Sequence, residues 1–352
     1  MVNISNSIIL FIFAFLGVFS LGYIATIVIM PIAIKLAIKL RILDAPGIRK
    51  VHKYSKPRIG GMVMFLVYFC LLVLIGVLFR YKIVFPIAVG SLLISFFGFL
   101  DDLFNIRAMY KLMLQLLVAL MTSMSIVGFG ISINELHLLS GVEIYLGVFA
   151  VPVTVLWILG IMNAINLIDG LDGLAGGITG IAGLALLLCA FYWKDTEMLF
   201  VVVALLSVVL GFLKFNFNPA KVFMGDTGSL LLGYNLAVFS IIICWNQPKV
   251  MSFGIPLILL GIPIYDVFSS IIRRLKRNQH IFSPDGEHFH HRIMKRGFTH
   301  RQTVVIIYIE SAFLAVCALI TLFINDDVMV MYLLSLALLV HISRIYLKKK
   351  FS

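Results

Sequence analysis

The sequence predicts an all-α, polytopic integral membrane protein, on three observations. Hydrophobic residues fill 62% of the 352 positions and charged residues only 12%, with a mean hydropathy of +1.10; a soluble domain so composed would lack polar surface. The apolar residues arrive in long runs. Lys and Arg gather in alternate gaps between those runs.

A helix crossing roughly 30 Å of hydrocarbon needs about 20 apolar residues. Eleven runs qualify in order: 7–31, 59–79, 83–100, 108–129, 146–161, 174–193, 198–212, 225–245, 250–268, 303–324 and 328–347. The first resembles the apolar part of a signal peptide, but no basic stretch precedes it and no small-residue cleavage site follows, so it reads as a permanent anchor. Between the fourth and fifth runs, "GISINELHLLSGVEIY" alternates around a Ser-Gly pair, the pattern of a small hairpin. Cys70, Cys189, Cys244 and Cys317 all fall inside runs and form no CxxC pair, which argues against a disulfide framework and a zinc site. Residues 1–352 read as one transmembrane domain.

Cytoplasmic loops hold the excess of positive charge. With the N-terminus outside, the inside segments contain 24 of the 28 Lys and Arg, and the odd number of runs puts the tail Lys348–Lys350 inside. The net charge of +12 then lies where anionic headgroups and phosphorylated substrates are found. Nucleic acid is a poor partner, because the charge is divided among membrane-bounded loops.

The acidic motifs share that side: "GFLDD" (Gly98–Asp102), "NLIDGLDG" (Asn166–Gly173), "NPAKVFMGDTGS" (Asn218–Ser229) and "DGEHFHHR" (Asp285–Arg292). Carboxylates at a membrane edge are expensive unless cations neutralise them. Asp101, Asp102, Asp169, Asp172 and Asp226 border runs and therefore fit a site better than bare solvation, whereas Asp44, Asp285 and Glu287 fit either reading. Asn166, Asp169 and Asp172 recur every three residues, which on a helix gives one polar face; a polar helix cap is the plainer alternative. Asp226, between two glycines and before a helix, offers a hard oxygen ligand beside a helix N-terminus that attracts phosphate. One Mg²⁺ there would bridge the phosphates of a nucleotide diphosphate. Phe223, three residues earlier, can stack on a base or simply pack.

Adjacent Asp101 and Asp102 should point apart, so that one meets a metal and the other orients Lys111 or acts as a base. The closely spaced His288, His290 and His291 suggest zinc, but the acidic loops suit a harder ion, and an anion or sugar grip is the favoured reading over a structural basic loop. "KPRIGG" (Lys56–Gly61), containing Arg58 and preceded by Lys53, is a second candidate phosphate clamp.

Taken together, these motifs resemble the polyprenyl-phosphate N-acetylhexosamine-1-phosphate transferases, in the family's order and over nearly all of Lys53–Gly297. The resemblance implies transfer of a sugar 1-phosphate from a UDP-sugar to undecaprenyl phosphate, releasing UMP, in the bacterial cytoplasmic membrane as the first membrane step of a cell-envelope polysaccharide. It implies Asp226 as the principal Mg²⁺ ligand, with Mn²⁺ as an alternative metal. Asp101 becomes a catalytic carboxylate supported by Asp102 and Lys111. Asn166, Asp169, Asp172 and Asn216 line the nucleotide pocket and Phe223 stacks on uracil, while His288, His290, His291 and Arg292 face the diphosphate or sugar. Family members often form homodimers.

Enzymes of the family that use UDP-MurNAc-pentapeptide typically carry three consecutive histidines; "HFHHR", with Phe289 interrupting, resembles the UDP-GlcNAc branch. UDP-GlcNAc is the expected donor, with phospho-MurNAc-pentapeptide transfer as the alternative. A transporter or flippase is the rival from another class, since eleven spans also suit alternating access. Transporters place charge near the midplane, and only Glu310 lies clearly within a run.

Overall fold

The computed structural model describes residues 2–44, 55–124, 130–137, 143–245, 254–279 and 288–323. Eight helices among them are long and apolar enough to cross a membrane. They are α1 (Val2–Lys39), α2 (Gly60–Phe79), α3 (Val84–Phe104), α5 (Ala150–Ile168), α6 (Leu174–Tyr192), α7 (Thr196–Asn216), α8 (Gly225–Ser240, continued by a π turn to Trp245) and α12 (His300–Ile320). The protein is a multi-pass membrane protein.

Two of the expected runs differ. The run at 108–129 forms α4 (Ala108–Ser123), a shorter apolar helix. The run at 250–268 is broken at Leu260 into α9 (Gly254–Leu259) and α10 (Gly261–Lys276). Pro263 explains the break, because it cannot donate the hydrogen bond that would join the two helices. The run at 328–347 lies outside the described residues. The expected hairpin is present as β3 (Glu135–His137) paired antiparallel with β4 (Glu143–Tyr145), with Leu136 opposite Ile144.

Helix α8 is the post of the bundle. Its span is 94% buried, against 11% for α1, and α2, α3, α5 and α6 pack around it. Since α8 is no more apolar than its neighbours, its burial reflects position in the bundle. A short antiparallel pair, β1 (Leu43–Asp44) with β2 (Lys56–Pro57), carries the chain into α2. Beyond β2, Phe223 N–H donates to Pro57 O, and the Gly60 and Gly61 N–H groups donate to Phe223 O and Met224 O. The "KPRIGG" backbone is thereby sewn to the approach to α8.

Candidate active site

The described residues of the motifs meet at one end of the bundle, around the first turn of α8. Asp226 lies there, and Asn166, on the last turn of α5, donates through Nδ2 to Asp226 Oδ1 (2.7 Å) and to Ser229 Oγ (2.8 Å). Lys111, at the start of α4, places Nζ 2.7 Å from Asp226 Oδ2 and 3.0 Å from Asp101 Oδ2. Arg58 puts Nε 2.9 Å from Asp102 Oδ1 and Nη2 3.6 Å from Asp226 Oδ1. Two cations and one amide, from three separate segments, thus converge on one carboxylate.

Asp101 and Asp102, at the end of α3, point apart and do different work. Asp101 accepts from Ile106 N–H (2.8 Å) and pairs with Lys111. Asp102 accepts from the N–H groups of Asp226 (2.7 Å) and Thr227 (3.0 Å) and from Thr227 Oγ1 (2.6 Å). The helix N-terminus expected to attract phosphate is therefore already capped by Asp102, which neutralises the same partial positive charge. Gly225 makes this possible: its φ is +68°, and any Cβ there would run into the Asp102 carboxylate. The glycine N–H groups of "KPRIGG" are likewise taken by backbone carbonyls, leaving the phosphate-clamp role to side chains. Lys53 lies outside the described residues.

The expectation that Asn166, Asp169 and Asp172 share a helical face is not met. Helix α5 stops at Ile168, and Asp169 to Gly173 form a tight turn with Gly173 at φ +83°. Two glycines in five residues end the helix where its period would have continued. Asp172 turns away to accept from Ala220 N–H (2.9 Å) and Asn218 Nδ2 (3.1 Å), with Lys56 Nζ 3.6 Å away. Asn216 accepts from Gly173 N–H (2.9 Å) and donates to Val222 O (2.8 Å). These two residues clasp the turn to the loop before α8. Phe223, on that loop, lies under Lys56 Nζ at 5.0 Å from the ring centre.

Asp169 stays beside Asp226 with no hydrogen-bond or ion-pair partner found among the described residues. Burial pushes its carboxyl up to about 7, and the negative charge of Asp226 adds to the rise. The positive charge of Arg58 works against that rise. Among the described residues no three His, Cys, Asp or Glu side chains are grouped as a metal cage. Mg²⁺ is commonly held by one or two carboxylates together with substrate phosphates and water, and Asp226 is a carboxylate here that could contribute to such a set.

The histidine segment reaches the same place through α11 (Phe289–Met294). The ring of His290 packs over Gly170, leaving no room for a Cβ there, and its buried nitrogens have no hydrogen-bond partner among the described residues. Burial, reinforced by nearby His291, lowers the His290 pKa to about 3, so the ring is neutral at physiological pH. His291 lies against His290, with ring centres 4.2 Å apart, and Arg292 extends over the ring of Phe289.

Residues 84–244 match the model of the Glycosyl transferase family 4. A Bacillus subtilis protein named "Probable undecaprenyl-phosphate N-acetylglucosaminyl 1-phosphate transferase" is 35% identical over 303 residues, covering 86% of this chain and 83% of its own. The chain belongs to the polyprenyl-phosphate N-acetylglucosamine-1-phosphate transferase family. Other members are the decaprenyl-phosphate N-acetylglucosaminephosphotransferase of Mycobacterium leprae, 32% identical with 82% of this chain and 79% of the other covered, and the undecaprenyl-phosphate alpha-N-acetylglucosaminyl 1-phosphate transferase of Salmonella typhi, 30% identical with 83% and 80% covered.

Within this transferase fold, Lys56 of the "KPRIGG" stretch serves both Asp172 and Phe223, and the motif reading missed several other residues. Tyr308 on α12 donates to Gly173 O and so braces the turn. Asn163 Nδ2 donates to Gln115 Oε1 (2.7 Å), linking α5 to α4 one turn below Lys111. Asp266 on α10 contacts His288. Of these only Asp266 left a signal, an acid near the end of an apolar run; the others depend on neighbours distant in sequence.

Proposed function

We propose that this transferase moves GlcNAc 1-phosphate from UDP-GlcNAc to undecaprenyl phosphate, giving undecaprenyl-diphospho-GlcNAc and UMP, at the cytoplasmic face of a bacterial inner membrane. The observation that carries the reading is Lys111 Nζ held between Asp101 and Asp226, with Arg58 on the other side of Asp226. Both substrates are anions: the acceptor phosphate contributes roughly 1.5 to 2 negative charges, and the donor's diphosphate adds more. They repel one another until cations lie between them.

The residues divide that work. Asp102 holds Arg58 and caps α8, so that Asp226 projects from a rigid helix start; Asn166 fixes the rotation of the Asp226 carboxylate. Lys111 and Arg58 supply fixed positive charge to phosphate oxygens. Mg²⁺ bound at Asp226 would add charge on the transferring phosphoryl group. An acceptor oxygen attacks the donor's β-phosphorus, the bond from that phosphorus to the bridging oxygen breaks, and UMP leaves with the bonding electrons. Attack is direct, since a phosphate monoester already carries the negative charge needed of a nucleophile and requires no enzyme-bound phosphate at Asp101. Phe223 and Lys56 receive the base end, while His288, His291 and Arg292 face the sugar-diphosphate end.

The test is label transfer by the purified protein. Label passing from UDP-GlcNAc into undecaprenyl phosphate, with UMP released, supports the reading; transfer from UDP-MurNAc-pentapeptide alone overturns it. Eleven spans with the N-terminus outside complete the proposal. In a background lacking the four native cysteines, Lys194→Cys should label from outside with an impermeant reagent and Arg277→Cys only from inside.

A further inference from the structure

Asp266 is 1% exposed on α10, and no Lys or Arg pairs with it among the described residues. Its Oδ1 accepts from Phe289 N–H (2.7 Å), at the start of α11. Its Oδ2 lies 3.0 Å from His288 Nδ1. Where the carboxylate only accepts, this contact places a proton on His288 Nδ1, and no partner for Nε2 is found among the described residues. The His288 ring in turn lies parallel to that of His290, with centres 6.0 Å apart and planes within 7°, and His290 rests on Gly170 beside Asp169. A buried acid with an imidazole as its ionisable partner is costly to keep; capping a six-residue helix alone would need only a neutral acceptor.

We propose that Asp266 is a positioning residue for the transfer. It fixes the tautomer and rotation of His288, so that Nε2 meets the diphosphate-sugar end of the donor. The inference rests on the reading of the histidine segment as a donor contact. An Asn at this position separates the two functions of Asp266. Its amide oxygen can still accept from Phe289 N–H, but its NH₂ group faces Nδ1 and drives the His288 proton to Nε2, the wrong-tautomer effect known from carboxylate–histidine pairs.

The experiment compares full-length wild type, Asp266→Asn, Asp266→Ala, His288→Gln and the Asp266→Asn/His288→Gln double variant. Each is assayed for kcat, KM for UDP-GlcNAc, UMP affinity and melting temperature. Expected for Asp266→Asn is a loss in kcat of about 10- to 100-fold, with melting temperature and UMP affinity near wild type. The double variant should be no slower than the slower single variant, because both substitutions disable one unit. Normal kcat in Asp266→Asn, with activity and melting temperature falling together in Asp266→Ala, would reduce Asp266 to a cap and overturn the proposal. So would additive losses. A normal rate in His288→Gln would instead remove the donor contact itself, and the inference with it. A ¹⁵N-histidine spectrum of the wild type, with the His288 signal assigned by its absence in His288→Gln, decides independently of variant folding: a proton on Nδ1 supports the proposal, and one on Nε2 alone defeats it.

Discussion

Helix α8 carries two polar clusters of opposite design. At Asn235, well inside the bundle, Oδ1 accepts from Tyr68 (2.8 Å), while Nδ2 donates to Ser91 Oγ (3.0 Å) and Leu231 O (2.9 Å). Nine residues earlier, about 13 Å along the helix at 1.5 Å per residue, Asp226 is surrounded by charges and sits beside an uncompensated Asp169. The inner cluster is neutral and its hydrogen bonds close on themselves. The outer one is charged and short of cations. A closed network holds helices together, whereas an incomplete one is built to be completed by substrate and metal.

Substitutions at the two clusters should therefore fail in different ways. The largest effect is expected at the outer one: Asp226→Asn keeps the shape and loses the charge, so transfer should fall at least about a hundredfold while the melting temperature in detergent holds. A variant that transfers normally at ordinary Mg²⁺ would place the metal elsewhere. Next, Phe223→Ala should weaken UDP-GlcNAc and UMP binding by about 1 to 3 kcal/mol, with little change in kcat; unchanged KM for UDP-GlcNAc and unchanged UMP affinity would make Phe223 a packing residue.

The inner cluster should show the reverse. Asn235→Leu leaves the Tyr68 hydroxyl without its acceptor and should lower stability by about 1 to 2 kcal/mol, in the range of hydrogen bonds between membrane helices. Transfer per folded molecule should stay near wild type, and a selective loss of kcat would tie this network to the chemistry. The smallest effect concerns pH. His290 is depressed to about 3 in the folded protein, against about 6.5 for an unfolded histidine, so only the unfolded chain takes up its proton between those values. Stability should accordingly decline as pH falls below about 6.5. Melting temperatures at pH 7.5 and 5.0 should differ more in wild type than in His290→Gln; equal differences would show that His290 titrates normally.

Much of the site could be read along the chain because its residues are rare in their surroundings. An ionised group at the end of an apolar run is expensive, so Asp101, Asp102 and Asp226 stood out as soon as the runs were drawn. The division of labour between Asp101 and Asp102 could not be read, because it depends on whether a side chain meets Lys111 or the start of a helix more than 120 residues away. The turn at Asp169 was misread for a local reason. A three-residue spacing fits a helix, but Gly170 and Gly173 permit the break that sends Asp172 to the loop before α8.

Composition and charge parity alone determined that the chain is a bundle of membrane helices with its acidic motifs on one side, because hydrocarbon excludes charge wherever the helices pack. They did not determine which helix stands at the centre. Among the described spans the least buried, α1, and the most buried, α8, are both apolar, since lipid and protein interior favour the same side chains. Only the tertiary structure decided that α8 is the central helix with Asp226 at its first turn, that Asp102 caps it, and that Asp266 reaches His288. Each of those contacts joins residues far apart in sequence, and packing rather than any local preference brings them within hydrogen-bond range.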